Sequence, residues 1–261
     1  IRVPHYARTA YTIEREFSRR GYEVILCNTG GDRAETLRYL QAVNQKQVDG
    51  IVLVGSVFDT ICQGAEMEKL LTGVPVVLAN GKLDLPNAYS VTVDDKYGVS
   101  LAVEHLVARG RKNIYYIKDR DTDSAKSKRD GFLEAMRRNG LEFADHVLEA
   151  GETLASGMET VQALLAQGIV PDGIVCGEDL TAAGALKALL RAGLRVPGQV
   201  AVVGFNNSDY AHLCEPVLTS VDNKPEQVAL LCVQLLESSI ERSEAYSSVV
   251  LQPELAQGET S

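Results

Sequence analysis

Tryptophan is absent from this 261-residue chain, and only 6% of its residues are aromatic. A pocket built on stacked indoles is therefore excluded. No apolar run approaches the ~18 residues of a membrane-spanning helix, so no membrane partner is expected. Basic residues are outnumbered, 26 against 35 acidic ones, for a formal net charge of −9. Nucleic-acid binders usually present a basic face, so this acidic stretch is not expected to grip DNA by itself. The five cysteines (Cys27, Cys62, Cys176, Cys214, Cys232) are scattered and form neither a CxxC nor a Cys/His metal spacing. An odd, scattered set reads as reduced thiols of a cytoplasmic protein, with no metal. No P-loop, GxGxxG, HExxH or Gly-x-Ser-x-Gly occurs. The four histidines are dispersed, and Asp94-Asp95 is explained by a helix N-terminus, where acids are favourable. No catalytic residue and no cofactor are expected, and the chain does not read as an enzyme.

What is present is alternation. With 45% hydrophobic residues the chain can bury two sizeable cores. Short apolar runs at 24–28, 51–54, 74–79, 91–93, 114–117, 174–176 and 200–205 alternate with amphipathic stretches, including 61–71, 97–109, 127–139, 154–166 and 180–192. Runs of 4 to 6 with little internal alternation suit strands covered on both faces. Gly21, Gly110, Gly140 and Gly193 follow helical stretches, as left-handed C-termini require. Strand then helix, repeated, predicts parallel sheets with right-handed crossovers. About ten strands suit two sheets better than one. The expected fold class is therefore α/β, with two doubly wound parallel-sheet lobes. Such a series normally begins with a strand, whereas this one opens into a loop at Pro4-His5-Tyr6 and a helix. A first strand is expected upstream of Ile1.

The motifs extend the argument from end to end. Pro4-His5-Tyr6 resembles Asn-Pro-Phe-Phe. Gly21-Tyr22-Glu23-Val24 with Asn28-Thr29 resembles Gly-Tyr-x-Val…Asn-Thr, and Val48-Asp49-Gly50-Ile51 resembles Val-Asp-Gly-Ile. Val93-Asp94-Asp95-Lys96-Tyr97-Gly98, Arg129-Asp130-Gly131-Phe132, Gly193-Leu194-Arg195-Val196-Pro197, Val202-Val203-Gly204-Phe205 and Leu251-Gln252-Pro253-Glu254-Leu255 continue the series. Together they resemble the effector-binding core of the lactose/galactose-repressor (LacI/GalR) family of bacterial transcription regulators. That resemblance implies a type I periplasmic-binding-protein-like fold: two lobes joined by three crossovers, with a small polar effector, a sugar or a relative of one, in the cleft. The lobes are expected at 1–92 plus 224–244 and at 93–223 plus 245–261, with crossovers near 91–95, 221–225 and 243–248. It also implies a homodimer and operator DNA bound only through an N-terminal helix-turn-helix domain absent here. The alternative is a solute-binding protein of a sugar uptake system, which shares the fold.

The resemblance names ligand-site candidates, each with a plainer reading. Arg129 sits where the family's arginine forks onto ligand hydroxyls or a carboxylate, though the run Lys126, Lys128, Arg129 also reads as a charged surface. Asn206 stands where the family has Asp, which moves the ligand away from a standard sugar; it also suits an ordinary turn. Glu178 and Asp179 replace Asn-Asp. Asp179 reads as a helix cap, which leaves Glu178 facing the cleft. Glu152 replaces an aromatic platform, or is a solvated loop residue. Asn80 and Asn223 match polar pocket positions or serve as turn and hinge. His5 and Tyr6 would stack on the ligand from the N-terminal lobe, or pack their own loop. Asp123 is a further candidate from a neighbouring loop. One arginine, two carboxylates and several amides suit a ligand with hydroxyls plus an amine.

Overall fold

The computed structural model describes residues 4–242 and 247–261. The chain forms two compact units, Ile1–Val93 with Lys224–Leu251 and Asp94–Asn223 with Gln252–Ser261, so it passes from one to the other three times. The first unit opens with α1 (Pro4–Arg19), α2 (Arg33–Gln45), β1 (Ile51–Val54), α3 (Phe58–Ile61), α4 (Ala65–Leu71), β2 (Val76–Ala79) and β3 (Ala88–Val93). The second contributes α5 (Asp95–Ala108), β4 (Ile114–Lys118), α6 (Asp123–Arg138), β5 (Val147–Glu149), α7 (Leu154–Ala166) and β6 (Gly173–Cys176). It continues through α8 (Asp179–Arg191), β7 (Ala201–Phe205), α9 (Asp209–Leu213) and β8 (Thr219–Asp222). The chain then returns with α10 (Pro225–Arg242) and β9 (Val249–Leu251) and ends with β10 (Glu254–Ala256) in the second unit.

The first sheet runs β1-β2-β3-β9, all parallel. The second runs β10-β8-β7-β6-β4-β5, parallel except for the antiparallel edge strand β10. Every residue of β2, β4, β6 and β7 is buried, which is why these strands, up to Lys118 at the end of β4, read as apolar runs. Successive strand residues face opposite sides. Val175, Val203 and Phe205 join a core with Val103 and Leu106 of α5 and Phe132 and Met136 of α6. Their neighbours Ile174, Cys176 and Val202 join another with Val161 of α7 and Ala185 and Leu189 of α8. The first sheet is covered likewise, by α1 and α10 on one face and α2 to α4 on the other.

Several expectations change in detail. Residues 24–28 form no strand, and Ile25 and Leu26 are 48% and 59% exposed. A strand needs a ladder partner, which the run's composition does not reveal. The helix expected over 61–71 is broken into α3 and α4 by Gly64 at φ +101°. Pro4 begins α1, so His5 and Tyr6 lie in its first turn rather than in a loop; proline is well suited to that position. The four glycines expected at helix ends do take positive φ, from +65° to +86°. The third crossing falls at Leu251/Gln252, because β9 pairs with β3 in the first sheet. Residues 243–246, part of the expected third crossover, lie outside the described residues.

Candidate functional site

In open α/β sheets, ligands bind outside the carboxyl ends of the strands. In the second unit those ends carry Asp119 and Arg120 after β4, Gly177, Glu178 and Asp179 after β6, Asn206 to Ser208 after β7, and Asn223 after β8. A continuous polar chain joins them. Asn223 Nδ2 donates to Asn206 Oδ1 at 2.6 Å, and Asn206 Nδ2 donates to Glu178 Oε2 at 2.6 Å. Arg120 Nη2 lies 3.7 Å from Glu178 Oε1 and 3.4 Å from Glu152 Oε2, while its Nε donates to Asp119 Oδ2 at 3.1 Å. Asn223 is 5% exposed, and its Oδ1 has no hydrogen-bond partner. Asn206 holds φ +96°, a left-handed backbone that asparagine tolerates better than most residues.

Asp179 anchors the loops rather than capping α8, whose N-cap position is Glu178. Its fully buried carboxylate accepts from Ser208 N at 2.7 Å, Ser208 Oγ at 2.8 Å and Ser220 Oγ at 2.6 Å. Burial pushes its pKa up to about 6 against those three bonds. Two glycines make the close approaches possible. A Cβ on Gly204 would come within 2.3 Å of Asp179 Oδ1, and one on Gly177 within 2.6 Å of Asp119 Oδ1.

Burial pushes Glu178 up to about 8; the charges of Asp119 and Asp179 add to this, and Lys128 and Arg120 oppose it. The carboxyl of Asp95, at the start of α5, is raised by burial, against Lys128 and the 2.6 Å bond from Ser124 Oγ. Tyr116 lies at 0% exposure with its hydroxyl unpaired, its phenol raised by burial and by Asp119, Asp95 and Glu178.

Thus Glu178, Asn206 and Asn223 converge, with Glu152 joined at the rim through Arg120. Arg129 does not join them. It lies on the outer side of α6, its side chain 40% exposed and both Nε and Nη2 donating to Asp130 Oδ1. One residue earlier on a helix is a turn of about 100°, and Lys128 there is 7% exposed. Its Nζ donates to Gly177 O at 2.9 Å and sits 3.8 Å from the centroid of the Phe205 ring. The inward cation of α6 is therefore Lys128. The signal was present, since counting back by four and seven from Phe132 and Ala135 reaches Lys128. Asp123 also stays outside, because Thr122 caps α6 and Asp123 pairs with Lys126 at 3.0 Å.

Asn80, His5 and Tyr6 belong to the first unit, Asn80 just past β2 and His5 and Tyr6 in the first turn of α1. Gly55 N, just past β1, donates to Ala79 O at 2.9 Å, and Asn80 follows with φ +57°. Tyr6 packs on Gly55, where a Cβ would come within 3.1 Å of its ring, and His5 meets Tyr6 edge-on at 4.1 Å. Lys128, Arg120, Asp119 and Asp95 were not among the residues expected from the sequence; the strand-end rule alone would have found the second and third. Among the described residues no cluster of His, Cys, Asp and Glu could hold a metal ion, and no helix is long and apolar enough to cross a membrane.

Residues 103–261 match the periplasmic binding protein-like domain family. An HTH-type transcriptional regulator of Lachnoclostridium phytofermentans is 32% identical over 233 residues, 88% of this chain and 70% of the relative. A LacI transcriptional regulator from a Rhodococcus species superposes with a TM-score of 0.86 at 29% identity, over 100% of this chain and 95% of that one. The transcriptional regulator CelR, solved with cellobiose, superposes with a TM-score of 0.88 at 26% identity, over 99% of this chain and 80% of that one. With its two parallel-sheet units and three crossings, the chain belongs to the LacI family of transcriptional regulators and carries that family's effector-binding, periplasmic-binding-protein-like domain.

Proposed function

We propose that this chain is the sensing and dimerisation domain of a cytoplasmic regulator and that it binds a sugar or sugar-like effector at the strand ends of its second unit. The effector is held, not transformed. Its occupancy changes how tightly a homodimer grips operator DNA through a helix-turn-helix segment. The observation that carries this reading is the buried chain Asn223–Asn206–Glu178, which offers amide and carboxyl groups at the sheet's ligand-binding edge. The cellobiose found with CelR supports a sugar-like guest, and the HTH-type relative supports a regulator over a transport component. Couplings between effector and operator typically amount to about 1–3 kcal/mol, or roughly 5- to 150-fold in affinity.

The test is thermal unfolding with a panel of mono- and disaccharides. A true effector at a hundredfold excess over its Kd should add about 2.7 kcal/mol to the wild type, and Asn206→Ala should lose most of that gain. Equal stabilisation of both proteins would refute the site. Gel shift of the helix-turn-helix-bearing gene product on operator DNA, with and without that sugar, then tests the coupling. Light scattering tests the dimer.

A further inference from the structure

We propose that the strand-end site of the second unit selects, among polyhydroxylated ligands, those that carry a protonated amine. This rests on the reading of that site as the ligand site. The groups facing it come from every surrounding element. Asp119 and Arg120 follow β4, Glu178 and Asp179 follow β6, and Asn206 and Asn223 follow β7 and β8; Asp95 opens α5, Ser124 and Lys128 lie on α6, and Glu152 stands at the rim.

Two deficits emerge. The first is in donors. Asn223 Oδ1 is an acceptor, 95% buried by the residue's 5% exposure, and it has no partner. Only an N–H or O–H can satisfy it, and burial without a partner is costly. The second is in positive charge. With Glu178 protonated and so neutral, the acids Asp95, Asp119, Asp179 and Glu152 still outnumber the two cations placed among them, Lys128 and Arg120. Lys128 already donates to Gly177 O and rests on the Phe205 ring. Arg120 is shared among Asp119, Glu152 and Glu178. A ligand carboxylate or phosphate would worsen both deficits, and a neutral hydroxyl cures only the first. An ammonium supplies donors and charge together. Glu178, raised to about 8 by burial and its acidic neighbours, holds a proton at neutral pH. An ammonium beside it stabilises the carboxylate, so binding releases that proton to solvent.

The experiment is isothermal titration of the wild-type chain at pH 7 with glucosamine, galactosamine and mannosamine, each beside its parent hexose and its N-acetyl derivative. At least one amino sugar should bind tenfold or more tighter than both counterparts. Its heat should vary with the buffer's ionisation enthalpy, and Glu178→Gln should shift the net proton exchange toward uptake by the proton that Glu178 no longer releases. Parent hexoses that bind as tightly as their amino forms would overturn the amine preference while leaving the ligand site standing. No binding by any of the nine would overturn the proposal as well, and the Asn206→Ala comparison above judges the site separately. The N-acetyl arm uses only wild-type protein, so the test does not depend on a variant that folds.

Discussion

Replacing Glu178 with glutamine keeps the shape of the side chain and an oxygen to accept from Asn206 Nδ2, but removes the titrating carboxyl. In the folded protein that carboxyl is raised from 4.5 to about 8, chiefly by burial. A carboxyl with a raised folded pKa lends its stability below the unfolded value, and that stability is lost as pH climbs through the folded one. Moving a group's pKa by one on folding is worth about 1.4 kcal/mol. The full difference approaches about 5 kcal/mol, and coupling to the neighbouring Asp179 reduces what Glu178 alone shows to roughly 3 kcal/mol. Wild-type stability should therefore fall between pH 4.5 and about 8. Glu178→Gln should match the wild type at pH 5, to within ~1 kcal/mol, and exceed it by roughly 3 kcal/mol at pH 9. With no tryptophan as a reporter, the assay is urea unfolding followed by far-UV circular dichroism at both pH values. Equal differences at pH 5 and pH 9 would rule out a buried, raised Glu178 carboxyl, because a merely structural effect of the substitution does not titrate.

Lys128→Met leaves Glu178 and Asp95 without their buried counter-charge and should cost about 2–4 kcal/mol at pH 8 and less at pH 5, where Glu178 carries a proton. Urea unfolding at the two pH values reads that difference. Arg129→Ala, one residue on, should leave both the urea midpoint and sugar binding unmoved; a loss of binding there would reverse the assignment of the inward cation. Gly177→Ala drives a methyl group to within 2.6 Å of Asp119 Oδ1. It should cost about 1–3 kcal/mol in urea unfolding and weaken ligand binding by displacing Asp119.

The sheets were legible because strands buried on both faces must be apolar throughout, as at 201–205, and because helices in between must show one apolar stripe. That Glu178, Asn206 and Asn223 come together was legible for a topological reason: polar residues just past parallel strands share one end of the sheet, whatever their neighbours. Asp119 and Arg120 obey the same rule, but their loop, Asp119-Arg120-Asp121, looks like solvated surface from composition alone. Lys128 was hidden differently. In the run from Lys126 to Arg129, three cations have similar local chemistry, and which one turns inward is decided by distant partners, Gly177 and Phe205. A motif match placed one residue along a helix rotates the chosen side chain by about 100°. Residues 24–28 failed for the matching reason in sheets, since pairing is set by a neighbouring strand and not by the run itself.

Whether the strand ends of the second unit hold the effector is best decided by a crystal structure of the chain with the sugar that stabilises it most. A donor of that sugar should lie within hydrogen-bond distance of Asn223 Oδ1, with further contacts to Asn206 and Glu178. A sugar bound elsewhere, with Asn223 Oδ1 still unpartnered, would show that the effector site has been misplaced.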